Sequence, residues 1–259
     1  MNLNTLYSGL AALIILLTIY DAHASESKFS EPQTGQFRST YGCEVVYEHH
    51  GPVQKNDAPT VILAHGFKRN RDSMRGWAQY WAERGIPCLI LDFCNATMIN
   101  GHHQRNADDM RALADLLELD KVVYAGFSAG GLAAYLAALD DPAAVAYLGL
   151  DSVDSGKLAR QATRQLTVPA LFLVGKPSMC NARGNFSPVF ERWPEYTVTH
   201  VPQATHCQFE IPYNKRCAWM CGRRSPEETS EVQTELQTLA TRWLLQTVYR
   251  SAAEAGVDQ

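Results

Sequence analysis

Short apolar runs alternate with stretches of helical periodicity along the middle of the chain. Seven runs, many of them rich in β-branched residues, predict strands at 44–48, 60–64, 87–92, 121–125, 146–150, 170–174 and 196–201. Between them, apolar residues recur at helical spacing over 72–84 and 108–118, and small apolar residues fill 130–139. This alternation is typical of a mostly parallel central sheet with helices on both faces, an α/β architecture.

The two ends of the chain have patterns of their own. Residues 10–20 form an apolar run that is short for a bilayer span, and Ala22-His23-Ala24 fits the small-x-small rule of signal peptidase. We predict a signal peptide over 1–24 and one domain over 25–259, periplasmic or secreted, with no stable membrane anchor after cleavage. An uncleaved anchor is the alternative. Ser225 and Pro226 predict the start of a closing amphipathic helix.

Composition excludes several classes of protein. The chain has 259 residues, 46% of them hydrophobic, with 17 Gly and 12 Pro, which rules out a disordered, collagen-like or coiled-coil protein. The formal net charge is -4, and basic residues do not form a stripe along the sequence. We therefore expect no nucleic-acid partner. The oligomeric state is not readable from the sequence.

A candidate nucleophile lies where a predicted strand meets a predicted helix. Residues 126–130 read Gly-Phe-Ser-Ala-Gly. In a strand–turn–helix context, Gly-x-Ser-x-Gly holds the serine on a sharp, strained turn, which lifts its hydroxyl clear of the sheet. The next helix directs its N-terminus at that hydroxyl and favours developing negative charge. Ser128 is therefore the candidate nucleophile, and a tight turn with an incidental serine is the alternative.

The strand at 60–64 runs into His65-Gly66-Phe67 and predicts the loop that holds an oxyanion. Acyl transfer needs two backbone N–H groups directed at the oxygen of the tetrahedral intermediate. We predict that Ala129, the residue after the nucleophile, supplies one of them and Phe67 the other. Because His65 precedes the nucleophile on another strand, we expect it to brace this loop and not to act as the base.

The candidates for the general base and its acid follow two of the last predicted strands. His206 follows the strand at 196–201 and precedes the closing helix, which gives the order Ser…Asp…His of α/β-hydrolases. The strand at 170–174, which most often carries the acid, ends without a carboxylate. The strand at 146–150 ends at Asp151, with Asp154 three residues on, and both open on the sheet edge that His206 shares. Asp151 is preferred, and Asp154 is an alternative acid or the cap of a helix expected near 156–166.

These motifs, with Gly-Leu-Asp-Ser-Val-Asp at 149–154 and Ala-Thr-His-Cys at 204–207, resemble the α/β-hydrolase superfamily. The sequence is most similar to chlorophyllases and to dienelactone-hydrolase-like secreted esterases and polyester hydrolases. The Gly-Leu-Asp segment is similar to the acid-bearing segment of chlorophyllases and pancreatic-type lipases, which further favours Asp151. Ser152 stands where those families usually have proline, and Phe127 and Ala129 differ from the residues beside the chlorophyllase serine. The substrate therefore stays open.

The seven cysteines predict disulfides. Four of them lie in the C-terminal third of the chain: Cys180, Cys207, Cys217 and Cys221. In an exported protein they are expected to form two disulfides, with three pairings open. A zinc site built from the last three and His206 is the alternative, but the spacing does not fit, and we predict no metal. Cys88 and Cys94 lie too far apart on an extended strand to pair, Cys43 is a partner for either, and the odd thiol is expected to be buried.

Together the motifs predict a secreted serine hydrolase that cleaves small-molecule carboxylic esters without a cofactor. Ser128 would attack the carbonyl, His206 would take its proton, Asp151 would orient the imidazole, and water would release the acyl-enzyme. An acyltransferase or a peptidase with the same triad is an alternative, as is a non-catalytic binding protein on the same fold. Three aromatic residues after the base are candidates for an acyl pocket or for packing: Phe209, Tyr213 and Trp219.

Overall fold

The computed structural model describes residues 31–51, 58–95, 97 and 100–250, and the predicted signal peptide lies outside them. Within these residues eight strands form one sheet in the order β1-β2-β4-β3-β5-β6-β7-β8. The strands are β1 (Gln33–Arg38), β2 (Glu44–His50), β3 (Thr60–Ala64), β4 (Cys88–Leu91), β5 (Val122–Phe127), β6 (Ala144–Leu150), β7 (Ala170–Val174) and β8 (Thr197–His200). β2 is antiparallel to both its neighbours, and the other pairs are parallel.

Helices connect the strands. They are α1 (Arg75–Ala82), α2 (His103–Leu116), α3 (Ala129–Asp140), α4 (Leu158–Gln161), α5 (Ser187–Arg192), α6 (Lys215–Cys221) and α7 (Pro226–Leu244). The last of these begins at the predicted capping box, in which Ser225 accepts a hydrogen bond from the Glu228 backbone N–H. In the part of the chain that the structure describes, no helix has the length and apolar character that a bilayer crossing requires.

Both faces of the sheet are buried, and β3 shows how. Val61 and Leu63 pack into a cluster with apolar residues of α1 and α7. Ile62 and Ala64 point the other way, into a cluster with α2 and α3. A strand covered on both sides reads as a continuous apolar run, which is why the parallel strands stand out in the sequence. The predicted mostly parallel sheet with helices on both faces is confirmed.

Some elements differ from the prediction. The edge strand β1 was not expected, because most of its residues are exposed and the segment lacks an apolar run. The short helices α5 and α6 were also missed. The helix expected near 156–166 is reduced to α4, because Gly156 and Lys157 both take positive φ values, 67° and 61°, just before it. A left-handed backbone there prevents an earlier helical start.

A buried carboxylate anchors the segment between β3 and α1. Glu48 on β2 accepts hydrogen bonds from Arg71 Nε at 3.0 Å and from Arg75 at 2.7 Å. Burial alone would raise the pKa of Glu48, but the two guanidinium groups outweigh it and lower that pKa to about 2. Since Arg71 also pairs with Asp92 after β4, this cluster holds the chain that follows the predicted oxyanion loop.

Candidate active site

The nucleophile candidate occupies a sharp turn between β5 and α3. Ser128 has φ 54° and ψ -122°, a strained conformation for a residue with a side chain. The glycines on either side make the turn possible. A Cβ on Gly126 would lie 2.3 Å from the Gly130 carbonyl oxygen, and one on Gly130 would lie 2.3 Å from the His65 carbonyl oxygen. The backbone N–H of Ser128 donates to Leu150 O, so the turn is held by the next strand.

The base candidate lies beside the serine. His206 begins a 3₁₀ turn (His206–Phe209) that a Thr205 capping box starts, and its ring packs 4.7 Å from that of Phe127. Its Nε2 is 3.0 Å from Ser128 Oγ, and its Nδ1 is 2.6 Å from Asp151 Oδ2. A neutral imidazole fits these contacts when Nδ1–H donates to the carboxylate and Nε2 accepts the serine proton.

The structure brings Asp151 to His206. Asp151 is buried at the end of β6, where its φ of 46° turns the side chain back across the sheet edge. Beyond the imidazole, its carboxylate accepts a hydrogen bond from the backbone N–H of Gly175 at 3.0 Å. The side-chain amide of Asn181 donates to both of its oxygens, at 3.1 and 3.3 Å. Three donors therefore fix one carboxylate in an orientation that serves the base.

The structure places the alternative acid elsewhere. Asp154 is also buried, but its carboxylate accepts hydrogen bonds from the backbone N–H groups of Ala159 and Arg160 at the start of α4. Arg160 Nε adds an ion pair at 2.9 Å. These contacts match the helix-cap alternative, and the hydrogen bond from His206 goes to Asp151.

Asn181 is a site residue that the sequence pattern did not predict, although a signal was present. Asn181 lies in the loop after β7, the place where this fold most often carries its acid. The residue is fully buried, and its Oδ1 accepts the backbone N–H of Ser178 at 2.7 Å while its amide also donates to Lys176 O. The loop without a carboxylate thus supplies a donor for the carboxylate of the neighbouring strand. The polar residue in that loop was the available clue.

The two predicted oxyanion residues line one cavity. It has a volume of about 450 Å³, and its walls include Phe67 and Ala129. Among the described residues, neither backbone N–H has a hydrogen-bond acceptor. Gly66 lets this loop pass close to the nucleophile, because a Cβ there would lie 3.0 Å from the Phe127 ring and 3.3 Å from Ser128 Cβ. Two unsatisfied donors beside a serine are what a developing oxyanion requires.

His65 braces the oxyanion loop. Its Nδ1 lies 2.8 Å from Gly66 O, and its Nε2 accepts the backbone N–H of Phe93 at 3.2 Å. Burial lowers the pKa of His65, so the ring stays neutral, with a proton on Nδ1. Both ring nitrogens are engaged by the backbone, and this geometry fits the predicted bracing role.

A buried ion pair joins the oxyanion loop to the loop of the base. Glu210, directly after the turn that carries His206, is fully buried and bonds Arg69 two residues after Phe67. Burial raises the pKa of Glu210, and the Arg69 guanidinium opposes that rise. The sequence carried no signal for this pair, because the two residues are 141 positions apart.

Disulfides surround the same loops. The bonds are Cys43–Cys94, Cys180–Cys221 and Cys207–Cys217. Within the described residues Cys88 has no disulfide partner, and burial raises the pKa of its thiol well above the usual value. The sulfurs of the alternative zinc site lie within 4.8 Å of one another, but each is bonded to another sulfur. The nitrogens of His206 face Asp151 and Ser128, so this group offers no zinc ligands.

Known structures resemble this one. A protein of unknown function from Agrobacterium tumefaciens, described as an α/β-hydrolase, has a TM-score of 0.60 and 16% identity, with 82% of this chain and 96% of that chain covered. An α/β serine hydrolase homologue from Coxiella burnetii has a TM-score of 0.52 and 15% identity, with 65% of this chain and 86% of that chain covered. A puromycin-hydrolysing peptidase from Mycobacterium tuberculosis has a TM-score of 0.51 and 16% identity, with 66% of this chain and 35% of that chain covered.

No protein-family model and no curated protein matches the sequence. The structural neighbours show that the chain has the α/β-hydrolase fold, which confirms the predicted fold class. At these levels of identity they establish the fold alone. The likeness to chlorophyllases and dienelactone-hydrolase-like esterases continues to rest on the sequence motifs.

Proposed function

We propose that this protein is an exported serine hydrolase of carboxylic esters. The observation that carries the proposal is the chain of hydrogen bonds from Ser128 through His206 to Asp151, next to a cavity with two unsatisfied backbone N–H groups. A serine, an oriented base and an oxyanion site within reach of one another form the minimal set for acyl transfer.

The reaction follows from this geometry. Ser128 Oγ attacks the ester carbonyl carbon while its proton moves to His206 Nε2, and the carbonyl oxygen takes the negative charge between the N–H groups of Phe67 and Ala129. Asp151 stabilises the imidazolium without taking a proton. The intermediate collapses, the C–O bond to the leaving alcohol breaks, and Nε2 returns the proton to that alcohol. Water then attacks the acyl-enzyme by the same steps and releases the acid.

The cavity supports a small substrate. A volume of about 450 Å³ falls in the range of small-molecule sites, roughly 300–1,000 Å³. Its walls combine the rings of Phe67 and Phe93 with polar groups of His103 and Asn106. Phe209, Tyr213 and Trp219 are not among the residues that line it, so the proposal gives them no part in this wall. Such a lining suits an acyl group of modest size with a polar substituent.

The disulfides support export. Disulfides persist in oxidising compartments and are rare in the reducing cytosol. Three bonds in one chain, two of them beside the proposed catalytic loops, indicate that the active form is the oxidised one. The predicted signal peptide would deliver the chain to the periplasm or the medium.

The direct test compares Ser128→Ala with the unchanged protein. We expect the unchanged protein to hydrolyse p-nitrophenyl esters of graded acyl length and to be labelled by a fluorophosphonate probe, and Ser128→Ala to do neither. Ser155→Ala, at an exposed serine after β6, is the matched control and should behave as the unchanged protein.

The result that contradicts the proposal is an unchanged protein that is never labelled and shows no turnover. That outcome would favour a binding protein on this fold. Matched amide substrates form a second arm, because one structural neighbour is a peptidase. Faster turnover of amides than of esters would replace the ester assignment and leave the roles of the residues intact.

A further inference from the structure

Two segments that are far apart in the sequence form one surface. Residues 176–183 follow β7, and residues 215–224 comprise α6 and the three residues after it. The Cys180–Cys221 disulfide joins them, with the two Cα atoms 5.8 Å apart. We call these two segments the α6 surface.

Large apolar side chains stand out into solvent on the α6 surface. Met179 is 87% exposed, Trp219 71% and Met220 67%, which makes them the three most exposed large apolar residues among those the structure describes. Met179 adjoins Cys180, and Trp219 and Met220 are within two residues of Cys221, so the backbone positions of all three lie near one disulfide. Exposed apolar groups gathered in one place mark an interaction site, whereas single ones need no explanation.

The α6 surface is also strongly positive. Six exposed basic residues belong to it: Lys176, Arg183, Lys215, Arg216, Arg223 and Arg224. Neither segment contains Asp or Glu, although the whole chain carries a formal net charge of -4. In the part of the chain that the structure describes, none of the six forms a salt bridge. Their charge is therefore directed to solvent.

A cavity opens between α6 and α7 on the same side. It has a volume of about 500 Å³, and Lys215, Arg223 and Arg224 line its wall. Two hydroxyl groups in its lining, Thr229 Oγ1 and Tyr213 Oη, are buried and have no hydrogen-bond partner within the described residues. Because neither hydroxyl is accessible to solvent, the exposed basic residues of the lining supply the groups that contact an anion here.

We propose that the α6 surface docks on the face of an anionic lipid bilayer. Trp219 and the two methionines enter the boundary between headgroups and acyl chains, a level that tryptophan prefers, and the six basic residues contact lipid phosphates. A soluble polyanion would use the charge but would leave the exposed apolar side chains in water. The combination of both features therefore favours a lipid surface.

Vesicle binding tests the proposal independently of catalysis. The Ser128→Ala protein is mixed with phosphatidylcholine vesicles that either contain or lack phosphatidylglycerol, and the bound fraction is measured by sedimentation. We expect binding to the anionic vesicles that weakens as salt is raised. Brominated lipids should quench tryptophan fluorescence, and Trp219→Phe should lose most of that quenching. Trp77 and Trp81 are fully buried, and Trp193 and Trp243 are half-buried and pack against the core outside the α6 surface.

Charge variants locate the contact. Arg223→Gln/Arg224→Gln should weaken partitioning by about 25-fold, since each basic residue near an anionic surface contributes about 5-fold. Arg38→Gln/Arg84→Gln is the matched control, because it removes the same charge at exposed sites on β1 and after α1, and it should bind as the parent does. All variants are prepared with the same N-terminus, so that they differ only at the named residues. Their thermal unfolding curves should coincide, which would show that the substitutions leave the fold intact.

Two results would overturn the proposal. One is equal partitioning of the α6-surface variant and the control variant. The other is capture of the protein by heparin, a soluble polyanion, with no partitioning to anionic vesicles, which would mean that the surface meets a polymer. Loss of vesicle binding in the α6-surface variant, with retained binding in the control, supports it.

Discussion

The two aspartates after β6 allow a sharp test of the site, because each is buried and each has a different partner. Asp151→Asn replaces the carboxylate that faces His206 Nδ1, and Asp154→Asn replaces the one that faces Arg160. The two changes have the same size and chemistry, and the residues are three positions apart. We expect the first to affect catalysis and the second to affect stability.

The magnitudes follow from the contacts. An amide at position 151 can donate to His206 Nδ1 and so favours the tautomer whose Nε2 carries the proton and cannot accept one from serine. The equivalent change in a serine protease lowers kcat by about 10⁴-fold, and we expect a loss of that order. At position 154 the change removes the charge of an ion pair whose carboxylate is fully buried. The cost should be about 2 kcal/mol, or a fall in Tm of roughly 4–8 °C.

The assay pairs ester kinetics with thermal unfolding on both variants. Asp151→Asn should lose kcat while its labelling by a fluorophosphonate slows, and Asp154→Asn should keep kcat/KM within about threefold, since it touches no reacting group. Loss of kcat in Asp154→Asn to the extent expected for Asp151→Asn, with an unchanged Tm, would contradict both assignments. That result would make Asp154 the acid in solution.

The remaining expectations concern a disulfide, a thiol and a carboxylate. The double change Cys207→Ser/Cys217→Ser opens a loop with a sequence separation of 10; it should cost about 3 kcal/mol in denaturant unfolding, and an unchanged midpoint would argue against this link. Cys88, whose thiol pKa is raised by burial, should react with iodoacetamide only after unfolding without reductant, so a native adduct in the mass spectrum is the contrary result. The folded pKa of Glu48, about 2, lies below its ordinary value of 4.5, so its ion pairs stabilise the fold above pH 4.5 and are lost as the pH falls towards 2. Glu48→Gln should therefore flatten the fall in Tm over that range, and parallel curves for the two proteins would contradict the assignment.

Local patterns in the sequence were enough to predict the parallel part of the sheet and the turn of Ser128. Strands buried on both faces are apolar throughout, and Gly126 is required by contacts with Gly130 and Gly131 inside the same short segment. Both features are recorded within a few consecutive residues. The same holds for the capping box at Ser225, which needs only a serine and a glutamate three positions apart.

Features that depend on distant partners could not be predicted in this way. The edge strand β1 is recognised by its pairing with β2, since its own pattern is mostly exposed. Asn181 acquires its role from Asp151, 30 positions earlier, and Arg69 from Glu210, 141 positions later. The charge of the α6 surface is likewise divided between two segments that a disulfide brings together. In each case the role of the residue depends on a contact with a distant part of the chain, and only the folded structure shows that contact.

Helix α6 carries both Cys217 and Cys221, and the bonds from them end beside His206 on one side and Asn181 on the other. One short helix is thus covalently linked to the loop of His206 and to the loop of Asn181. The distance between these two loops is limited by the disulfides as well as by packing. The consequence concerns selectivity. We expect related chains with these two disulfides to change the size of the acyl group they accept through Phe67 and His103, which adjoin no disulfide of the described residues, and less through Phe93, which stands next to Cys94.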